Sequence, residues 1–144
     1  MGYTTEFEGK FNLNKKLDDD TFKLLNGLAT TRRMKRNVEG FGNEGEFFID
    51  GLGFCGQDND VTVIDINKPP TTQPSLWLQW IPTEDKMSIE WDGNEKFYHS
   101  LEWIKYLIDT ILKPRGYILN GTVYCQGEEE NDTWNITIDE NEVI

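Results

Sequence analysis

The stretch SLWLQWIPTEDKMSIEW, residues 75–91, decides the fold class. In its first half Leu76, Leu78 and Trp80 alternate with Trp77, Gln79 and Ile81, so side chains of both kinds face both ways, and a strand is expected over Ser75 to Ile81. Pro82 to Lys86 reads as a turn. Met87, Ile89 and Trp91 then alternate in a returning strand that Asp92-Gly93 ends. A helix follows over Glu95 to Lys113, with Leu101, Ile104, Leu107, Ile108, Ile111 and Leu112 in one apolar stripe and Pro114 and Gly116 as its stop.

The same two periods recur outward from this core. Thr5, Phe7, Gly9 and Phe11 alternate with Glu6, Glu8 and Lys10, as in a half-buried strand. Asp18-Asp19-Asp20 opens a first helix, acids lying at the positive end of the helix dipole, with Phe22, Leu25, Leu28 and Ala29 inward and an end near Thr31. Residues 37–45 read as loop. Short strands are expected over Glu46 to Asp50 and Val61 to Ile66, with a Gly51-Leu52-Gly53 turn after the first and a proline-rich extended linker, Lys68 to Pro74, after the second. Asn120-Gly121 reads as a turn, and Thr122 to Gln126 with Trp134 to Asp139 as a hairpin across an acidic loop. The expected architecture is a single α+β domain over residues 1–144. It has a mainly antiparallel sheet of five to seven short strands and two helices packed on one face.

Composition narrows the function. The chain has 144 residues, 26 acids against 14 bases and a formal net charge of −12. Phosphate neutralisation needs basic surface, so no direct DNA binding is expected. The start carries no basic and apolar leader, and no apolar run approaches the roughly 20 residues that span a bilayer. A cytoplasmic protein with free thiols at Cys55 and Cys125 is expected.

Certain residues group into recognisable marks. They are Met1-Gly2-Tyr3-x-Thr5-x-Phe7-x-Gly9, Thr31-Arg32-Arg33-Met34-Lys35-Arg36, Gly56-Gln57-Asp58, and Gln73-Pro74-x-Leu76-Trp77-x-Gln79-Trp80. To these add Ile89-Glu90-Trp91-Asp92-Gly93-x-Glu95-Lys96-Phe97-Tyr98, Gly121-x-Val123-x-Cys125-Gln126-Gly127-Glu128 and Asp132-x-Trp134-x-Ile136-x-Ile138. Together they resemble a family of small bacterial and phage proteins without assigned activity. The resemblance implies an intracellular protein of bacteria or mobile elements and supplies no mechanism. Phage proteins of this size and charge include binders of host factors and of signalling nucleotides, so a sequestering role against host defence is one expectation.

The residues that carry chemistry are few. Arg32, Arg33, Lys35 and Arg36 place four of the 14 bases within five positions. They complement the negative end of the first helix, or they form an anion site, since guanidinium forks give paired hydrogen bonds to phosphate. Trp77, Gln79 and Trp91 are core residues, or a stacking platform with an amide to read a ring edge, with Phe97, Tyr98 and Trp103 near enough to close such a pocket. Glu128, Glu129, Glu130 and Asp132 are a solvated loop, or an acidic surface presented to a basic partner. Asp58, Asp60 and Asp65 are better read as loop than as a calcium site, and His99, the sole histidine, gives no paired metal ligands. Neither a nucleophile elbow, a P-loop nor a dinucleotide fingerprint is present, and no cofactor is expected.

Three functions follow as expectations. The first is a non-catalytic binding protein for a phosphorylated, nucleotide-like ligand. The second is an acidic interaction module that inhibits a basic host nucleic-acid-binding protein. The third is an unrecognised hydrolase. Small-ligand binders commonly share sites across two-fold axes, which makes a homo-oligomer the expected assembly.

Overall fold

A computed structural model describes residues 4–49 and 61–144. Nine strands and two helices follow one another as β1 (Glu6–Glu8), β2 (Lys10–Leu13), α1 (Asp19–Thr30), β3 (Lys35–Arg36), β4 (Val63–Asp65), β5 (Trp80–Pro82), β6 (Ser88–Trp91), α2 (Ser100–Leu107), β7 (Leu119–Gln126), β8 (Thr133–Asp139) and β9 (Glu142–Val143). The main sheet runs β5-β6-β2-β7-β8-β9 with β1 also on β7, and β3 and β4 form a separate two-stranded ladder. Every pairing is antiparallel. The expected α+β class with a mainly antiparallel sheet is the class observed.

The amino-terminal alternation survives as β1 and β2, which are one strand bent at Gly9. Both halves keep the same register against β7, from Glu6 opposite Gln126 to Leu13 opposite Leu119. The bend needs glycine on both strands. Gly9 has φ +105° and Gly121 φ +138°. A Cβ on Gly121 would lie 3.0 Å from the Lys10 carbonyl oxygen, and one on Gly9 3.0 Å from that of Thr122. Past the bend β2 accepts β6 on its other side, whereas β1 diverges from it.

One apolar core joins the sheet to both helices. Phe11, Ile89, Leu119, Val123 and Ile138 come from the strands, Leu25 and Leu28 from α1, and Trp103, Ile104 and Leu107 from α2. The acids expected at the start of α1 are there, and Asp18 caps it: Asp18 Oδ1 accepts from the Thr21 amide at 2.7 Å, and the Tyr117 hydroxyl donates to Asp18 Oδ2 at 3.0 Å. Those contacts hold the Asp18 carboxyl below its ordinary range, chiefly through the Thr21 amide. Among the described residues no helix is long and apolar enough to cross a membrane.

Four sequence expectations are corrected. Described residues of the Glu46 to Asp50 segment form no strand, because the carbonyls of Gly45 and Phe48 are taken by a side chain, Arg33, instead of a ladder. The Ser75 to Ile81 strand shrinks to β5: the Leu76 carbonyl accepts from the Arg33 amide, and β6 ends at Trp91, leaving little strand to pair with. The second helix starts at Ser100, not Glu95. Burial of Phe97 in the core bends the preceding chain through left-handed residues at Lys96 (φ +59°) and His99 (φ +61°). It then widens into a π turn over Ile108–Leu112, and Leu101 of the expected stripe is exposed. Finally, Asn120-Gly121 lies inside β7, and the turn is made by Glu140 and Asn141 (φ +48° and +69°), which Asn120 steadies by accepting from the Glu140 amide at 2.8 Å. The Gly51-Leu52-Gly53 turn lies outside the described residues.

Replacing Gly121 by alanine should cost about 1–3 kcal/mol, since it meets both an unfavourable φ and a backbone oxygen. Urea unfolding checks this as a lower midpoint with an unchanged slope. Gly93→Ala separates the two causes: it shares the positive φ (+87°) but its Cβ would point into open space, so it should lower the midpoint less than Gly121→Ala.

Candidate functional site

Arg32, Arg33, Lys35 and Arg36 leave α1 in extended backbone, so they point different ways. Arg33 and Arg36 are buried, 0% and 2% exposed. Arg33 Nη2 donates to the Phe48 carbonyl at 2.6 Å, and the Arg36 guanidinium stacks 4.2 Å from the centre of the Phe48 ring. Arg32 is half-buried and gives both Nε and Nη2 to the Ile66 carbonyl, at 3.1 and 3.0 Å. Lys35 Nζ lies 3.5 Å from Glu44 Oε2. The cluster is thus a set of anchors that pins the irregular segment 41–48 and the segment around β4, residues 62–66, to the end of α1. The structure does not bring its four cations to one surface. Sequence reading missed the partner of this device, a trio of buried Gln73 with half-buried Glu46 and Tyr106. Gln73 Nε2 donates to the Glu46 carbonyl at 2.7 Å and to Tyr106 Oη at 3.1 Å, and the Tyr106 hydroxyl donates to Glu46 Oε2 at 2.7 Å. Burial pushes the Tyr106 hydroxyl well above its ordinary pKa, so it stays a donor.

Trp77, Gln79 and Trp91 do meet, but unequally. Trp91 Nε1 donates to Gln79 Oε1 and to the Asn94 carbonyl, both at 3.1 Å, while Gln79 Nε2 donates to the Glu95 carbonyl at 3.2 Å. Both ends of the Gln79 amide are therefore engaged within the fold. Trp80, on the opposite face from Trp77, is core and gives its indole N–H to the Ser100 carbonyl at 2.9 Å. Trp77 is only partly buried and separates two hollows. One, of about 250 Å³, is lined with Gln79, Asp92 and Asn94. The other, of about 450 Å³, is lined with Pro69, Ser75, Lys96, Tyr98 and His99.

The larger hollow is the candidate site. Tyr98 is 49% exposed, and it stands beside Lys96 and His99 at the start of α2. No side chain caps that helix start, so its first amides add positive potential to that of Lys96. Acids temper this: Glu95 Oε2 is 4.0 Å from Lys96 Nζ, and Glu102 Oε2 is 3.9 Å from His99 Nδ1. Burial raises the Asp92 carboxyl in the smaller hollow, against hydrogen bonds from Asn94. The wall is stiff, because Trp103 donates its indole N–H to Ser75 Oγ at 2.7 Å. Chemically, the groove offers two aromatic faces, the Lys96 ammonium, the His99 imidazole and a helix start. Phe97 and Trp103, expected near such a pocket, belong to the core behind it. Lys96 escaped sequence reading because a helix from Glu95 would have hidden its left-handed backbone.

The acidic loop closes the β7–β8 hairpin. The Gly127 amide donates to the Asp132 carbonyl at 2.8 Å, and Glu128 Oε1 accepts from the Thr4 amide at 2.7 Å. Glu128, Glu129 and Glu130 are exposed and Asp132 is half-buried. No group of described residues could hold a metal ion, and Asp58 and Asp60 lie outside the described residues. Comparison with protein-family models, with curated proteins and with solved structures finds no match.

Two outcomes check these placements. Arg33→Ala should cost about 2–4 kcal/mol, by stranding buried carbonyls, whereas Arg32→Ala should cost under about 1 kcal/mol in the same unfolding measurement. Burial also pushes the Cys125 thiol up to about 11. In a Cys55→Ser variant at about pH 8, thiol reagents should therefore leave folded Cys125 unlabelled and react once urea unfolds the chain.

Proposed function

We propose that this is a non-catalytic binding protein for a phosphorylated, nucleotide-like ligand, held in the groove between Trp77 and Tyr98. The observation that carries the reading is the convergence there of partly exposed aromatic rings with Lys96, His99 and the uncapped start of α2. A base would stack on an indole or phenol face, and a phosphate would meet Lys96, the His99 imidazole and the first amides of the helix. Stacking is sequence-tolerant, so the groove would suit a class of nucleotides. The one serine hydroxyl in its lining, that of Ser75, is bonded to the Trp103 indole and not to a general base, which suits holding more than turnover. The Arg33 backbone supports this site indirectly, by fixing the chain that carries Leu76. Sequestering a signalling nucleotide is the role that fits a small binder of this kind.

A thermal-shift screen against cyclic di- and trinucleotides, ADP-ribose derivatives and common nucleotides tests the reading. A ligand at about 100 times its dissociation constant adds about 2.7 kcal/mol, a clear rise in melting temperature. The rise should vanish in Trp77→Ala and in Lys96→Ala and persist in Arg32→Ala. No shift with any ligand, or a shift that both groove variants keep, would overturn it. Mass spectrometry of the recovered ligand separates binding, in which it returns intact, from hydrolysis.

A further inference from the structure

A further hollow of about 580 Å³ spans β1, β7 and β8, with Trp91 of β6 in its wall, and is remote in chemistry from the groove at Trp77. Its lining includes Glu6, Phe7 and Glu8 of β1. The Phe7 and Trp91 rings are 5.2 Å apart in its wall, and Tyr124 and Trp134 line it while remaining 58% and 39% exposed. Not one of its ten lining residues is basic. Among the described residues β1 pairs only with β7, so its other edge is an unextended ladder.

We infer that this hollow is a docking site for an extended, arginine- or lysine-rich segment of a partner protein, laid along the free edge of β1. Three features select that occupant. Edge amides and carbonyls accept an added strand whatever its sequence. Glu6 and Glu8 are exposed and enter no ion pair among the described residues, so they offer carboxylates to alternate basic side chains. Exposed indole and phenol faces take guanidinium groups by cation–π contact. The acidic loop reaches the same end of the sheet, where Glu128 is bonded to the Thr4 amide, and extends the negative field beyond the hollow. A second copy of this chain is the wrong occupant: it would bring Glu6 and Glu8 against their own kind in a molecule of net charge −12.

The probe is a blocked peptide of about ten residues alternating Arg and Val, with a Glu-Val peptide as its twin, measured by calorimetry on the full chain. The Arg-Val peptide should bind, weaken steeply with salt, and shift the amide resonances of Glu6 to Glu8. The double change Glu6→Lys and Glu8→Lys should weaken it at least about tenfold, and Trp134→Ala should weaken it while leaving the melting temperature near that of the parent. Lys96→Ala, in the other groove, should leave it unchanged, which keeps failure here distinct from failure of the nucleotide reading. Absence of binding, equal binding of the Glu-Val peptide, or full binding by the charge-reversed variant would each overturn the inference.

Discussion

The close passage of β7 over the bent amino-terminal strand is the constraint on which the rest depends. Two glycines, Gly9 and Gly121, let the backbones approach to a distance at which a Cβ would meet a carbonyl oxygen. Because both halves of the bent strand keep one register on β7, the bend redirects the strand without losing pairing. One half then completes the sheet by accepting β6, and the other turns away from it. The core below is continuous, while the surface above is divided.

A second constraint is polar. The chain between α1 and β5 has little regular structure, so its backbone groups need partners from elsewhere. Arg33 supplies them from within the core, and the trio of Gln73, Glu46 and Tyr106 does so from the side of α2. Such polar contacts specify an arrangement that apolar packing alone would leave loose. The groove at Trp77 inherits its shape from them, since the Arg33 amide holds the Leu76 carbonyl at 2.7 Å in the groove wall.

These two constraints also explain what the sequence disclosed. Period-2 and 3.6-residue patterns depend on neighbours in the chain, so α1, its Asp18 cap and the β7–β8 hairpin were legible. Phe7 and Phe11 kept their inward positions even though Gly9 broke the strand between them. Asn120-Gly121 was misread because the same dipeptide that makes a tight turn also permits close strand crossing, and only the partner strand decides which. The helix start at Ser100 was misread because Phe97 obeys the core, not the helix. At the site, aromatic Trp77 and Tyr98 could be named from composition. The basic cluster could not be resolved into buried Arg33 and half-buried Arg32, because the difference lies in carbonyls 15 and 34 residues away.

The wide turn that follows α2 carries a separate meaning. There the Lys113 amide reaches back to the Ile108 carbonyl, one residue farther than in an α-helix. Such a turn accommodates one extra residue without disturbing the helix on either side. It therefore works as a phase adjuster, setting Ile111 and Leu112 both inward before Gly116 turns the chain toward β7. A relative with one residue fewer at this point could run straight α-helix and still deliver its next strand to the same place. The segment is thus where the fold can record a change in chain length without altering either groove.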